Sequence, residues 1–307
     1  MSHEYVDLQV NGFAGVDFNR AGLTPDMLHD ACASLRVTGV EGVLVTIITA
    51  DIAHMANQLS TIARLRERDS LIEELVWGFH IEGPFINPKP GYAGAHPREA
   101  VHPADLEEIK RLLEAGAGLT RVVTLAPECD KGLRVTDYLV KEGIRVAAGH
   151  CDPSLMELDA AIDAGLSMFT HLGNGCPMRM HRHENVIQRV LSRADRLWIS
   201  FIADGVHVPF TALGNYLRLV GTERSVVVTD AISAAGLGPG TYTLGDRSIV
   251  VGEDRVSCAD DRSHFMGSAT TMPRAVDNLR NPLSLSDAEI KRLVSENPRR
   301  VLRQAGI

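Results

Sequence analysis

Thr24-Pro25-Asp26-Met27-Leu28-His29-Asp30-Ala31-Cys32-Ala33-Ser34-Leu35-Arg36-Val37-Thr38-Gly39, followed by Gly42-Val43-Leu44-Val45-Thr46, is the stretch from which the fold is read. A Thr-Pro start opens an amphipathic helical segment, Gly39 supplies the left-handed residue that ends it, and a short Val/Leu run follows. Such a run, apolar on both alternating faces, suits a strand buried on both sides, as in a parallel sheet covered by helices.

The same unit recurs along the chain. Pro103 to Ala115 stops at Gly116 before Arg121-Val122-Val123-Thr124-Leu125. A helix ending in Leu139 to Glu142 stops at Gly143 before Ile144-Arg145-Val146-Ala147. Ser154 to Ala164, opened by a capping box of Ser154 and Glu157, stops at Gly165 before Met168-Phe169, and Phe210 to Val220 stops at Gly221 before Ser225-Val226-Val227-Val228. With Val6-Asp7-Leu8-Gln9-Val10, Val76 to Ile81 and Trp198 to Ile202, this makes eight strand candidates, each followed by helical material or a long loop. The pattern predicts an α/β fold of the (β/α)8 TIM-barrel type, although a doubly wound open sheet uses the same local code. Thr241 to Ser257 breaks the rhythm and reads as a small β excursion after the eighth strand. A second capping box, Ser286 and Glu289, opens a helix to Ser295. No linker or composition shift divides residues 1–307, so a single domain is expected.

Composition sets outer bounds. With 307 residues, 45% hydrophobic and 23% charged, the chain has the material for a large core, which excludes disorder and small disulfide-stapled scaffolds. A net charge of −8 argues against nucleic acid as a partner, because such surfaces need a basic face. The longest apolar run, Gly42 to Ala50, is far short of the ~20 residues that span a bilayer, so no membrane partner is expected. The N-terminus has no signal-peptide pattern. Five cysteines without a CxxC pair read as reduced thiols, and the expected location is cytoplasmic.

In a barrel of this kind the chemistry sits at the C-terminal ends of the strands. Those ends carry Gln9 and Asn11, Thr46, Glu82, Glu128, His150, His171, Asp204 with His207, and Asp230. A carboxylate, two histidines and a further aspartate there suit metal-assisted hydrolysis: imidazoles and one carboxylate hold a divalent ion, and a free carboxylate moves protons. Taken singly, each has a plainer reading, a hydrogen-bonded structural histidine or an N-capping aspartate.

Eight motifs follow one another: Asp7-Leu8-Gln9-Val10-Asn11-Gly12, His80-Ile81-Glu82-Gly83-Pro84-Phe85, Gly94-Ala95-His96, Ala148-Gly149-His150, Thr170-His171-Leu172-Gly173-Asn174, Ala203-Asp204-Gly205-Val206-His207, Thr229-Asp230-Ala231 and Gly267-Ser268-Ala269. In this order they resemble the N-acetylglucosamine-6-phosphate deacetylase family of the amidohydrolase superfamily, and the resemblance runs from about Asp7 to Pro298. It implies a metal-bearing TIM barrel that hydrolyses the acetamide of N-acetylglucosamine 6-phosphate to glucosamine 6-phosphate and acetate. It implies that Glu82, His150 and His171 bind one divalent metal ion, zinc first, with Fe2+, Mn2+ or Co2+ as alternatives. Asp230 takes the place of the catalytic aspartate. His96 falls on the carbonyl or oxyanion side, and His207, with the backbone around Asn174 and Gly175, matches substrate-binding positions. Arg182, 11 residues after His171, matches a phosphate-binding arginine that reaches the site of a neighbouring subunit, which implies a homodimer.

His80, two residues before Glu82 and on the same strand face, reads as support for it, and Cys151 and Cys176 read as small apolar side chains. Arg179 and His181 read as a solvated loop. Three departures from the family stand out. Gln9 and Asn11 occupy the positions of the superfamily's HxH pair, which favours one metal. The chain has no room at either end for the accessory β-sandwich, so none is expected. Gly173 and Cys176 replace bulkier residues, which leaves the sugar open: another N-acyl amino sugar or related amide is the alternative substrate. A non-catalytic sugar-phosphate sensor is the alternative from another class.

Overall fold

The computed structural model describes residues 4–244, 247–252, 256–259 and 265–303. Eight parallel strands form one sheet in sequence order: β1 (Tyr5–Val10), β2 (Val40–Ile48), β3 (Val76–Glu82), β4 (Thr120–Leu125), β5 (Arg145–Ala148), β6 (Met168–Phe169), β7 (Trp198–Ile202) and β8 (Ser225–Val228). The sheet curls until its first and last strands meet. Asp7 on β1 accepts from the Thr229 hydroxyl (2.5 Å) and backbone N–H (3.2 Å), and the Asn11 and Gly12 N–H groups donate to Ala231 O just beyond β8. The open doubly wound sheet is thereby excluded. Burial pushes the Asp7 carboxyl up to about 7, against the lowering effect of its bonds from Thr229.

Helices α1 (Pro25–Val37), α2 (Ile52–Arg66), α3 (Ser70–Leu75), α4 (Leu106–Ala115), α5 (Arg134–Lys141), α6 (Leu155–Asp163), α7 (Val186–Leu191) and α8 (Phe210–Val220) connect the strands, with α2 and α3 both between β2 and β3. They start where the side-chain chemistry allows: Thr24 caps α1, and both capping boxes form. The fourth helix begins at Leu106 and not at Pro103, because Asp105 accepts from the Glu107 and Glu108 N–H groups. Gly116 is also not the left-handed stop: its φ is −73°, and Ala117 and Gly118 make the turn. Gly116 answers a spatial need instead, since a Cβ there would lie 2.7 Å from Thr120 Oγ1.

Alternation along the strands builds two cores. Val43, Val45 and Ile47 of β2, Phe79 and Ile81 of β3, and Val123 and Leu125 of β4 face the helices. Leu44, Val122, Ala147, Met168, Trp198 and Val226 fill the lower barrel, where Val301 and Leu302 close it from below. Those two belong to α11 (Asn297–Arg303), which continues from α10 (Asp287–Lys291) through a π-helical turn, Arg292–Glu296. The helix expected to end at Ser295 therefore runs on to Arg303; the widened turn just before Pro298 accommodates a residue without an N–H. Higher in the barrel the lining is polar. His80 bonds Leu8 O (3.2 Å) and Thr124 Oγ1 (2.7 Å), and Thr124 bonds Thr170 (2.8 Å). Burial lowers His80 to about 4, so it is a neutral strut beneath Glu82.

The β excursion is larger than expected. Four antiparallel strands, β9 (Gly240–Leu244), β10 (Arg247–Val251), β11 (Val256–Ala259) and β12 (Phe265–Ser268), pair in order and rejoin the barrel, with Ser268 bridged to Ala231. Within the stretch Thr241 to Ser257, residues 245–246 and 253–255 lie outside the described residues. After the excursion, α9 (Met272–Arg280) leads to α10. Among the described residues no helix is long and apolar enough to cross a membrane.

Candidate active site

Three residues that follow strand ends share an unusual backbone: His150 after β5, His171 after β6 and Asp230 after β8 have φ of 51°, 35° and 51°. Non-glycine residues in this left-handed region cost on the order of 1–3 kcal/mol each. The sharp turn swings each side chain over the barrel mouth as its strand ends.

There His150 and His171 meet Glu82, the last residue of β3. His171 Nε2 lies 2.9 Å and His150 Nε2 3.3 Å from Glu82 Oε1, and the two Nε2 atoms are 3.2 Å apart, with all three residues buried. His150 donates from Nδ1 to Tyr92 O at 2.7 Å, which leaves its Nε2 as a bare lone pair aimed at the cluster. Burial opposes both charges, yet the Glu82 carboxyl stays well below its ordinary range and the His171 ring is raised, because each stabilises the other's charge. The His150 lone pair, His171 Nε2 and the Glu82 carboxylate converge on one point, and a cation between them would satisfy all three. A tetrahedral ion with N and O ligands at ~2.0–2.1 Å separates its ligand atoms by about 3.3 Å, close to the spacing found here. The donor set fits a divalent ion.

Gln9 donates its amide to both oxygens of Glu82, at 3.2 and 3.1 Å, so this side chain orients the carboxylate. Asn11 donates to Asp230 Oδ1 at 2.7 Å and fixes that carboxylate separately. Burial first, and the neighbouring Glu82 charge second, raise the Asp230 carboxyl to about 6. His96, on the loop between β3 and α4, is buried with its ring centroid 4.4 Å from that of His150, and its Nδ1 is 2.7 Å from Thr49 Oγ1. Burial and the adjacent His150 lower it to about 3. His207 pairs with Asp204 through Nδ1 at 2.5 Å, on the loop after β7.

The loop after His171 is built around the site. Gly175 has φ +60°, and a Cβ there would come within 2.9 Å of His150 Nδ1. The Asn174 amide donates to His171 O at 3.2 Å, closing the turn. Arg182 lies on an exposed part of the same loop. Glu128 does not join the site: beyond β4, it accepts from the Asn87 amide and the Asp152 backbone and ties two loops together. Burial pushes the Cys151 thiol well above its ordinary value and Cys176 up to about 11, which leaves neither as a nucleophile. The Tyr92 carbonyl, Thr49 and the Gln9 contact were not foreseen. Only Gln9 carried a signal, as the amide in an HxH position.

A closed (β/α)8 barrel with a buried His/His/carboxylate cluster and a separately held aspartate at its C-terminal mouth defines an amidohydrolase-type hydrolase. No protein-family profile matches the chain. It is 31% identical to the N-acetylglucosamine-6-phosphate deacetylase of Bacillus subtilis (strain 168), across 95% of this chain and 72% of that one. It is also 31% identical to the N-acetylgalactosamine-6-phosphate deacetylase of Escherichia coli O157:H7, across 99% and 78%. The fold superposes on N-acetyl-D-glucosamine-6-phosphate deacetylase from Mycobacterium smegmatis, solved in complex with N-acetyl-D-glucosamine-6-phosphate, with a TM-score of 0.87 and 32% identity over 98% of this chain and 77% of that one. The chain belongs to the N-acetylglucosamine-6-phosphate deacetylase family, hydrolases of an amide bond.

Proposed function

We propose that the protein hydrolyses the acetamide of N-acetylglucosamine 6-phosphate, releasing acetate and glucosamine 6-phosphate. The observation that carries this reading is the convergence of Glu82, His150 and His171 with Asp230 held beside them, in a chain of this family. We read the ion as single and as zinc. Held by the three ligands, it supplies a Lewis acid for the acetamide carbonyl and lowers the pKa of a water. Asp230, anchored by Asn11 through Oδ1, takes the proton of the attacking water on its other oxygen and returns it to the departing amine. His96 is neutral and donates from Nε2 to the carbonyl oxygen as negative charge develops there. This requires the Thr49 hydroxyl to donate to Nδ1 at 2.7 Å; its other acceptor, Glu82 O, is 3.4 Å away and the poorer partner.

His207, braced by Asp204, and the backbone at Asn174 and Gly175 orient the sugar. Arg182 binds the phosphate in a partner's site, which makes the active form a homodimer, and its place is the cytoplasm. A second reading, N-acetylgalactosamine 6-phosphate as substrate, is favoured by the Escherichia coli relative's name. Acetate release from the two sugar phosphates and from unphosphorylated N-acetylglucosamine tests both. The first reading expects the glucosamine epimer to have the higher kcat/KM, and Arg182→Ala to lower turnover of the phosphorylated sugars only. Unchanged acetate release by Asp230→Asn and His150→Ala would show the site to be elsewhere.

A further inference from the structure

The opposite end of the barrel holds a cleft of about 390 Å³ lined by Arg66, Trp77, Arg121, Arg299, Leu302 and Arg303. Trp77 and Glu82 are near opposite ends of β3, so cleft and active site are separated by roughly 17 Å of strand. Trp77 is fixed in place: Gly42 leaves room for its ring, which a Cβ would meet at 2.2 Å, and the Arg299 guanidinium lies over it at 5.0 Å.

Arg66 and Arg121 are oriented by backbone more than by carboxylates. Arg66 donates through Nε to Val76 O (2.9 Å) and through Nη2 to Glu73 O (3.3 Å), and its nearest carboxylate oxygen, on Glu73, is 3.8 Å away. Arg121 donates through Nη1 to Gly118 O at 2.8 Å. Among the described residues, neither Arg121 nor Arg303 has a carboxylate within 4.0 Å, whereas Arg299 has Glu41 at 2.6 Å. Burial and the neighbouring Arg66 charge both lower the Arg121 guanidinium. Like-charged groups held together at a cost, with N–H donors left over and an apolar floor of Trp77 and Leu302, suit an oxyanion attached to a small organic body. The volume is that of an ordinary small-ligand pocket, ~300–1,000 Å³. On a chain of net charge −8, this is a local reversal of sign.

We propose that this cleft binds a small phosphorylated metabolite, with its phosphate between Arg66 and Arg121, at a site separate from the hydrolytic centre. Calorimetric titration of the full chain with pyrophosphate, in a phosphate-free buffer, tests it. The expected result is saturable binding in wild type and in His150→Ala, weakened at least tenfold in Arg121→Gln and restored in part by Arg121→Lys. Trp77 and Trp198 are the only tryptophans, so binding should also change fluorescence in wild type and lose that change in Trp77→Phe. If Arg121→Gln does not fold, Arg303→Gln at the exposed helix end takes its place, with the same direction expected. No saturable binding, or binding that survives Arg66→Gln/Arg121→Gln intact, or binding lost in His150→Ala alone, overturns the proposal.

Discussion

At the residue scale the informative contrast is between Glu82 and Asp230, two buried carboxylates of one mouth with opposite fates. Glu82 faces two imidazoles and stays ionised; Asp230 has, among the described residues, the Asn11 amide as its direct partner and is raised to about 6 by burial and by Glu82 itself. Groups pushed apart in this way suit the separate tasks of ligand and proton carrier that the proposed mechanism gives them. Asp230 accepts a proton only when ionised, so kcat/KM should fall as pH drops through its pKa. With a dication bound beside it, protonation is opposed and the acidic limb lies at or below about pH 6. Asp230→Asn should lower kcat by about 10²–10⁴-fold and remove that limb, with metal content unchanged. A pH–rate profile paired with metal analysis separates loss of the base from loss of the ion.

At the scale of elements, strands and helices could be read because their causes are local. The Val/Ile runs, the two capping boxes and most of the glycine stops act within a few residues, and all eight barrel strands are found close to where periodicity puts them. Glu82, His150, His171 and Asp230 were legible for the same reason, as polar residues at strand ends. What escaped depends on contacts distant in sequence: Gln9 to Glu82 across 73 residues, His150 to a carbonyl 58 residues earlier, His96 to Thr49. The continuation of α10 through Asn297 was missed because a proline in the pattern looks like a stop, and the π-helical turn that admits it has no sequence signature. The loop after β6 offers a test at this scale. Gly175→Ala places a methyl against the His150 ring at a positive φ, a backbone cost of about 1–2 kcal/mol before any clash. Through the displaced ring it should weaken metal binding by about 10–100-fold, read by competition with a chelating dye.

For the whole molecule, the barrel has two ends of different character: a polar upper lining that leads to the site, and an apolar lower core closed by α11. The ligand cluster ties β3, β5 and β6 together, so an ion there stabilises the native state as any ligand of the folded chain does, by about 2.7 kcal/mol at a hundredfold excess over Kd. Chelation should lower the Tm of the wild-type protein by several degrees, and Glu82→Ala should lose most of that response. Equal shifts in the two proteins would mean that the ion does not sit at Glu82.

The join between Asp7 and Thr229 spans 222 residues of chain. Contacts of such long range form late, because the loop they close must first be ordered. During synthesis, when domains order from the N-terminus, Glu82, His150 and His171 all leave the ribosome before β8. On the proposed assignment, a growing chain would assemble its ion ligands before it has its base, and chemical competence would arrive only when the last strand shuts the ring.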